Sequence, residues 1–362
     1  MKKAIVCSDL HLLKKPGMWS GRADIQGDDS FALTQIVDLC IEHEADLYIL
    51  GDVLDSATTL PRPMILLQEA IAKLRVALPN SAVKFIQGQH EMSVQSYAEH
   101  APWLSLIPGT EHIAKQSFDF LGTKAYAVDY FPPGFSTAAL ADMPEDTKLL
   151  FLHGTADIAM PFSPHFSIQE LPAHIELIIA GDYHAPMEIG YPREGHETDG
   201  SLLYCGSTWM TSVSEFGPRS VLLVEESDKE GQLPQWERLN LKTRPIFKYS
   251  KLSDGASELS QIDDSLPENV RKPLLLVDMP LEQEELTKLA ETAHIYVMRD
   301  GRQVSEYGNV EVDASDTMPP DTEILAKYVD PKVQKEEFDF VMDILTSSVS
   351  DAVGRLKERI GA

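Results

Sequence analysis

The sequence has few cysteines and no long apolar run. Its three cysteines are Cys7, Cys40 and Cys205, and none of them has CxxC or Cys/His zinc spacing. We therefore expect buried, reduced thiols and a cytoplasmic protein. No apolar stretch approaches about 18 residues, so no transmembrane helix is predicted. The first apolar run stops at Ser8, which is too early for a signal peptide and is typical of a first strand.

The chain is also poor in basic residues. Lys and Arg number 31 against 57 Asp and Glu, which gives a net charge of -26. A freestanding nucleic-acid binder usually carries a basic face, so this balance argues against broad, unassisted binding to DNA or to anionic membranes. A narrow groove lined with metal ions remains compatible with it, because bound divalent ions supply local positive charge.

The order of apolar segments predicts an α/β fold. A strand-like run at 3–7 is followed by a helix pattern at 30–43, a strand at 46–50, a helix near 63–77 and a strand at 82–87. This βαβαβ order favours a sheet that is at least partly parallel. After about residue 113 the sequence becomes rich in strand-like runs.

The later part of the chain predicts a second, smaller unit. We assign residues 1–245 to the larger domain and 246–312 to a small α+β cap with strand, helix and strand patterns. Residues 313–332 are polar and contain proline, which is typical of a linker. Residues 333–362 have apolar side chains at every third or fourth position, which predicts an amphipathic C-terminal helix.

Five short polar motifs follow the strand-like runs. They are Asp9-Leu10-His11, Gly51-Asp52-Val53-Leu54-Asp55, Gly88-Gln89-His90-Glu91, His153-Gly154 and Gly181-Asp182-Tyr183-His184. Strand ends are where α/β folds build their sites. One such motif would mean little, but five in order predict a site for two metal ions.

The residue types of these motifs indicate the metal and the chemistry. Asp9 and His11 are two residues apart, so on an extended segment both side chains would point to the same side, and Asp182 and His184 repeat that spacing. Carboxylate, imidazole and amide ligands suit manganese, iron or zinc better than calcium, and the lack of thiolates disfavours structural zinc. Two such ions about 3.5–4 Å apart are a known solution for phosphate-ester hydrolysis.

The same motifs offer a proton donor for the leaving oxygen. His90 follows a presumed metal ligand but cannot easily share its direction, so we interpret it as the catalytic acid. Asp55 or Glu91 could orient an imidazole, although Asp55 could instead cap a helix and Glu91 could be a surface charge. The other histidines, including His165, match no motif and are interpreted as surface or core residues.

Taken together, the motifs resemble those of the calcineurin-like metallophosphoesterase superfamily: D-x-H, G-D-x-x-D, G-N-H-[DE], H and G-H-x-H. This resemblance covers residues 1 to about 225 and implies a β-sandwich flanked by helices, in α/β/β/α layers. Within the superfamily the chain looks most like the SbcD-type nuclease subunit of DNA double-strand-break repair. The run Tyr204-Cys205-Gly206-Ser207, the small cap and the terminal helix carry this narrower resemblance.

Carried over by motif position, the resemblance implies two metal sites. Metal one would be held by Asp9, His11, Asp52 and His184, and metal two by Asp52, Gln89, His153 and Asp182. Gln89 stands where the family has Asn, and Asp182 stands where it has His. Both departures fall on metal two, and they would shift its preference toward manganese or magnesium, weaken it, or make it depend on substrate. Manganese is the expected metal, with magnesium, iron and zinc as alternatives.

The resemblance also implies a function and partners. We expect a metal-dependent DNA exonuclease, with endonuclease activity as a second mode, that works in DNA repair and recombination. Its partners would be DNA, an SbcC-type coiled-coil ATPase bound through the C-terminal helix, and a second copy of the chain. The compartment would be the cytoplasm, or the host cytoplasm if the chain is encoded by a phage.

Two alternatives to this function remain open. One is a phosphoesterase for small phosphodiesters or phosphoproteins, and the other is a catalytically weakened scaffold subunit. A loop after the first motif could contact a nucleic-acid strand through basic and aromatic side chains, or it could be an exposed loop with a packed Trp. Its candidate DNA-binding residues are Lys14, Lys15, Trp19 and Arg22.

Overall fold

The computed structural model describes residues 2–12, 27–56, 61–92, 103–212, 215, 217–229, 231–249, 263–277, 282–299 and 302–303. All of these residues belong to one compact unit, which ends at Gln303. The predicted linker at 313–332 and the predicted helix at 333–362 lie outside the described residues. So do the candidate DNA-binding residues Lys14, Lys15, Trp19 and Arg22.

Strands and helices alternate through the first part of the chain, as the apolar pattern predicts. The strands are β1 (Lys3–Cys7), β2 (Asp46–Leu50), β3 (Val83–Ile86), β4 (Thr110–His112), β5 (Gln116–Phe120), β6 (Thr123–Ala127), β7 (Leu149–His153), β8 (Leu177–Gly181), β9 (Met187–Tyr191), β10 (Gly200–Tyr204), β11 (Arg219–Glu225), β12 (Gln235–Leu241), β13 (Ile246–Tyr249), β14 (Leu274–Val277), β15 (His294–Arg299) and β16 (Arg302–Gln303). The helices are α1 (Asp28–His43), α2 (Pro61–Ala77), α3 (Ser136–Ala139), α4 (Glu268–Arg271) and α5 (Gln283–Thr292). Helix α2 begins at a proline, whose fixed φ and missing N–H suit a first helical turn.

Two six-stranded sheets form the body of the molecule. The first has the order β12-β11-β1-β2-β3-β4, and the second has the order β5-β6-β7-β8-β10-β9. Strands β1 to β4 run parallel, and so do β6, β7, β8 and β10. The carboxyl ends of β1, β2 and β3 therefore meet at one edge of their sheet, as do those of β7 and β8.

Three apolar clusters explain why the sheets stack. The cluster between the sheets joins residues such as Val6 and Tyr48 of the first sheet to Phe151 and Ile179 of the second. A second cluster packs the other face of the first sheet against α1 and α2. The third covers the outer face of the second sheet with loops, a 3-10 turn and the short α3. The predicted α/β/β/α sandwich is confirmed, with its fourth layer made mostly of loops.

A third sheet follows the sandwich. Its order is β13-β14-β15-β16, with β13, β14 and β15 parallel and α5 connecting β14 to β15. Leu286 and Leu289 of α5 pack on Leu275 and Val277, so the helix covers one face of this sheet. These elements match the strand, helix and strand patterns of the predicted cap, while its bounds at 246 and 312 stay a prediction.

The helices that the structure describes are not suited to a bilayer. None of them combines the length and the apolar character that a membrane crossing requires.

Candidate metal centre

The five polar motifs converge at the carboxyl ends of the central strands. Side-chain contacts join motifs within the first sheet: His11 Nε2 lies 3.8 Å from Asp52 Oδ2, and His90 Nε2 lies 3.8 Å from the same oxygen. His153 Nε2, from the second sheet, is 3.4 Å from Asp52 Oδ2. All nine predicted site residues belong to one connected group, which comprises Asp9, His11, Asp52, Asp55, Gln89, His90, His153, Asp182 and His184.

At one end of the group, three ligand atoms have the spacing of a coordination shell. The Nε2 atoms of His11 and His184 are 3.2 Å apart, and Asp9 Oδ1 lies 3.6 Å from His184 Nε2 and 3.9 Å from His11 Nε2. Asp52 Oδ2, the fourth predicted ligand, lies 3.8 Å from His11 Nε2. Metal–ligand bonds of about 2.1 Å put neighbouring ligand atoms about 3.0–3.4 Å apart. Small inward movements of the Asp9, His11 and His184 side chains would therefore let them bind one ion. We call these four residues the first end.

A partly buried carboxylate fixes the ring of His184 at the first end. Glu215 Oε1 accepts a hydrogen bond from His184 Nδ1 at 2.6 Å, which turns Nε2 toward Asp9 and His11. Burial would raise the pKa of Glu215, but hydrogen bonds from His184 and Thr211 and the charge of Arg219 lower it to about 2. Glu215 is therefore an anion that sets the His184 tautomer, as carboxylates behind metal-bound histidines commonly do. No motif marks this residue in the sequence.

The opposite end of the group has a different construction. His153 Nδ1 donates to the Leu50 carbonyl at 2.7 Å, so its Nε2 is the ring nitrogen that faces Asp52. Gln89 Nε2 donates to Asp182 Oδ1 at 2.7 Å. Because a carboxylate can only accept, this bond turns the amide oxygen of Gln89 away from Asp182. We call Asp52, Gln89, His153 and Asp182 the second end, with Asp52 common to both ends.

Five buried acceptor atoms of the centre have no hydrogen-bond partner within the described part of the chain. They are Asp9 Oδ1, Asp52 Oδ2, Gln89 Oε1, His153 Nε2 and Asp182 Oδ2. A buried polar atom without a partner costs about 1–3 kcal/mol, and divalent cations would satisfy all five. Three groups of ligand atoms lie close enough to hold an ion: Asp9 with His11 and His184, His11 with Asp52 and His90, and Asp9 with Asp52 and His153. These oxygen and nitrogen donors fit divalent metal ions.

His90 differs from the other imidazoles in its exposure. Its side chain is 34% exposed, whereas those of His11 and His153 are fully buried. His90 Nδ1 lies 2.9 Å from the Asp55 main-chain carbonyl, which can only accept a hydrogen bond. Nδ1 therefore carries a proton, and Nε2 is the ring nitrogen that this bond leaves unoccupied. The Asp55 carboxylate lies 3.5 Å from His11 Nδ1, so Asp55 orients His90 through its main chain and faces His11 with its side chain.

His165 is a second residue that no motif marks. Its Nδ1 lies 3.1 Å from Asp182 Oδ2 and accepts a hydrogen bond from the Thr155 main-chain N–H at 3.0 Å. The expectation of a surface or core role is therefore incomplete, because the ring adjoins a predicted metal ligand. The signal was absent from the sequence, since His165 lies in the connection between β7 and β8 rather than at a strand end.

Backbone strain is concentrated at the centre. Asp9, His11, Asp52 and Asp182 have φ angles of 53°, 39°, 51° and 82°, a region that non-glycine residues rarely adopt. The idea that Asp9 and His11 share a side because their segment is extended is therefore wrong. The segment turns instead, held by bonds from Asp9 N to Gly51 O and from His11 N to Asp52 O. Such strain persists where the surrounding structure over-determines it, as at functional sites.

Glu91 and two glycines hold the strand ends together. Glu91 is buried, and its carboxylate accepts hydrogen bonds from the main-chain N–H groups of Asp52, Leu54 and Gly88, at 3.0, 2.8 and 2.7 Å. A Cβ at Gly88 would lie 2.1 Å from Asp52 Oδ1, and one at Gly51 would lie 2.4 Å from His153 Nδ1. The motif glycines thus allow the close approach of the strand ends, and Glu91 is a brace rather than a surface charge.

No protein-family model and no curated protein matches the chain. One similar solved structure is that of a novel archaeal phosphodiesterase, with 11% sequence identity and a TM-score of 0.33, covering 66% of this chain and 99% of the other. The functional conclusions below are built on the residues of this chain.

Proposed function

We propose that this chain is a two-metal phosphodiesterase whose substrate is DNA. The main support is that nine motif residues meet at the ends of β1, β2, β3, β7 and β8. Five buried acceptor atoms among them have no hydrogen-bond partner in the described part of the chain. Acidic and imidazole ligands of this kind, shared through one carboxylate, are the known solution for hydrolysing phosphate esters. The ordered motifs and their resemblance to SbcD-type nucleases favour a nuclease among such enzymes.

The predicted ligands would bind two metal ions. Asp9, His11, Asp52 and His184 would hold the first, while Asp52, Gln89, His153 and Asp182 would hold the second. When bound, such ions neutralise charge on the phosphoryl oxygens and lower the pKa of a water molecule. Glu215 and the Leu50 carbonyl keep His184 and His153 in the ligand tautomer, so these rings need no rearrangement on binding.

His90 would act on the leaving group. Its Nδ1–H is held by the Asp55 carbonyl, and its partial exposure lets Nε2 reach a bound phosphodiester. A protonated Nε2 can donate its proton to the departing sugar oxygen, and Asp52, 3.8 Å away, stabilises the imidazolium before transfer. Main-chain N–H donation from His90 to Asp52 Oδ1 at 3.0 Å fixes the distance between this acid and the metal ligands.

A partner would supply DNA affinity that this acidic chain lacks. With a net charge of -26, the chain favours a substrate delivered by another protein over free diffusion onto DNA. We propose an SbcC-type coiled-coil ATPase as that partner, docked on the predicted helix at 333–362, and a homodimer as the assembly. These proposals depend on the resemblance and on the charge.

The first test is manganese-dependent cleavage of linear double-stranded and single-stranded DNA. We expect cleavage that His90→Ala abolishes, with His196→Ala, an exposed histidine away from the motifs, as the matched control. Hydrolysis of bis-p-nitrophenyl phosphate without cleavage of DNA, in the presence of the partner, would instead favour a small-diester phosphoesterase.

A weakened scaffold subunit is a second candidate, favoured by one observation. The amide of Gln89 donates to one oxygen of Asp182, and His165 Nδ1 lies 3.1 Å from the other, so both oxygens of this ligand have a neighbour besides an ion. A chain that binds one manganese ion, turns over no phosphodiester and still binds its ATPase partner would support this candidate.

A further inference from the structure

The connection between β7 and β8 contains a braced loop, residues 156–166. At its base, Asp157 N donates to Phe166 O at 3.0 Å, and His165 N donates to Thr155 O at 2.7 Å. The Asp157 carboxylate accepts from the Ser167 hydroxyl at 2.5 Å and from Ile168 N at 3.1 Å. The Tyr204 hydroxyl also accepts from Ala156 N at 2.7 Å. The ends of this 156–166 loop are therefore fixed to the body of the molecule.

The tip of the 156–166 loop presents apolar side chains to solvent. Phe162 is 99% exposed, Ile158 is 42% exposed and Met160 is 38% exposed. By contrast, Phe166 at the base is buried in the cluster that covers the second sheet. A single exposed apolar side chain is ordinary, but three on one loop beside a candidate active site indicate a binding surface.

The loop lies within reach of the strand that would occupy the metal centre. Its base residue His165 is 3.1 Å from Asp182 Oδ2, at the second end. Phe162 precedes His165 by three residues, so their Cα atoms are at most about 11 Å apart. That distance corresponds to roughly three nucleotides of a stacked strand, at about 3.4 Å each. Phe162 would thus meet bases that flank the reacting phosphate.

The chemistry of the loop selects bases over phosphates. No Lys or Arg occurs between residues 149 and 192, so neither the loop nor β7 and β8, which it connects, carries a Lys or Arg that could contact the DNA backbone. The one charged residue of the loop besides histidine, Asp157, is engaged in the brace. Aromatic faces bind unpaired bases by stacking, which requires neither charge nor a particular sequence.

We propose that the 156–166 loop is a base-contacting element and that Phe162 stacks on an unpaired base next to the scissile phosphate. This inference rests on the proposed function, because it names the part of the DNA that this side of the site recognises. It identifies the preferred substrate as a single strand or a frayed end, since a base inside a duplex has no free face to offer.

The test is fluorescence titration of the full chain with manganese and single-stranded oligonucleotides carrying 2-aminopurine at positions one to four from either end. A His90→Ala background prevents turnover during the titration. We expect quenching by stacking, and Phe162→Ala should weaken binding roughly tenfold and remove the quenching. Phe162→Trp should retain both. Leu106→Ala, a change to a 79% exposed apolar side chain outside the loop, should match the parent protein.

Salt dependence separates this contact from phosphate binding. Because Phe162 contacts no phosphate, the slope of log affinity against log salt should be the same with and without Phe162→Ala. Equal affinity and equal quenching in Phe162→Ala would overturn the inference. So would unchanged DNA binding with lost self-association or lost ATPase binding, which would make the loop a protein-docking surface. A parent chain that binds no DNA yet hydrolyses a small diester would instead overturn the proposed function itself.

Discussion

The two ends of the metal centre are oriented by different means. At the first end, His184 is fixed by Glu215, which is itself held by Thr211 and Arg219 outside the ligand set. At the second end, a hydrogen bond joins two of the ligands, Gln89 and Asp182, to each other, and His165 is the one neighbour of the Asp182 carboxylate described above that lies outside the ligand set. The first end is therefore preformed by its surroundings, whereas two ligands of the second end depend on one another. We expect the first end to bind its ion tightly. The second end should bind its ion more weakly, because its ligands can change position.

Removing the shared ligand should produce the largest effect. Asp52 contacts His11 at the first end and His153 at the second, so Asp52→Ala should remove both ions and lower DNA cleavage by roughly 10³-fold or more. Metal content by mass spectrometry and single-turnover cleavage would measure this, with exposed Asp142→Ala as the control. Retention of either ion would show that Asp52 is not shared.

Removing Gln89 or Asp182 should weaken metal binding at the second end alone. We expect Gln89→Ala and Asp182→Ala each to weaken the second ion by about 10- to 100-fold, with the first ion retained. Because each residue orients the other, the double variant should be little worse than either single variant. Calorimetric titration with manganese checks this cycle. Strictly additive losses would mean that the two side chains act independently.

Removing the external support should affect the first end by a smaller amount. Glu215→Ala leaves all four first-end ligands in place but frees the ring of His184, so the first ion should bind about 10-fold more weakly. Glu215→Gln, which can still accept from Nδ1, should recover part of the loss. An equal loss at both ends in the same titration would point to a general structural defect and against a role specific to His184.

The sequence was sufficient to predict that the polar motifs meet at one edge of the sheets, but not which side chains support them. The alternation of apolar runs places β1, β2 and β3, and parallel strands bring their polar ends to one edge of a sheet. Glu215 and His165 could not be found in this way, because their partners are 31 and 17 residues distant and no periodic pattern connects them. The left-handed φ angles of Asp9 and His11 were also hidden, since the surrounding contacts impose them against local preference.

The layers of the fold also differ in how well the sequence predicts them. Continuous apolar strands such as β7 and β8 predict a sheet buried on both faces, and that sheet is present. The outer cover of the second sheet consists of loops and short turns, whose packing depends on side chains from distant segments. Sequence periodicity carries little information about such a layer.

The most direct measurement combines the number of bound manganese ions with DNA cleavage by the same sample. We expect two ions per chain and manganese-dependent cleavage of linear DNA that His90→Ala abolishes while both ions stay bound. Two bound ions without cleavage of DNA, in the presence of the ATPase partner, would contradict it. So would cleavage that persists in His90→Ala at the rate of the parent protein.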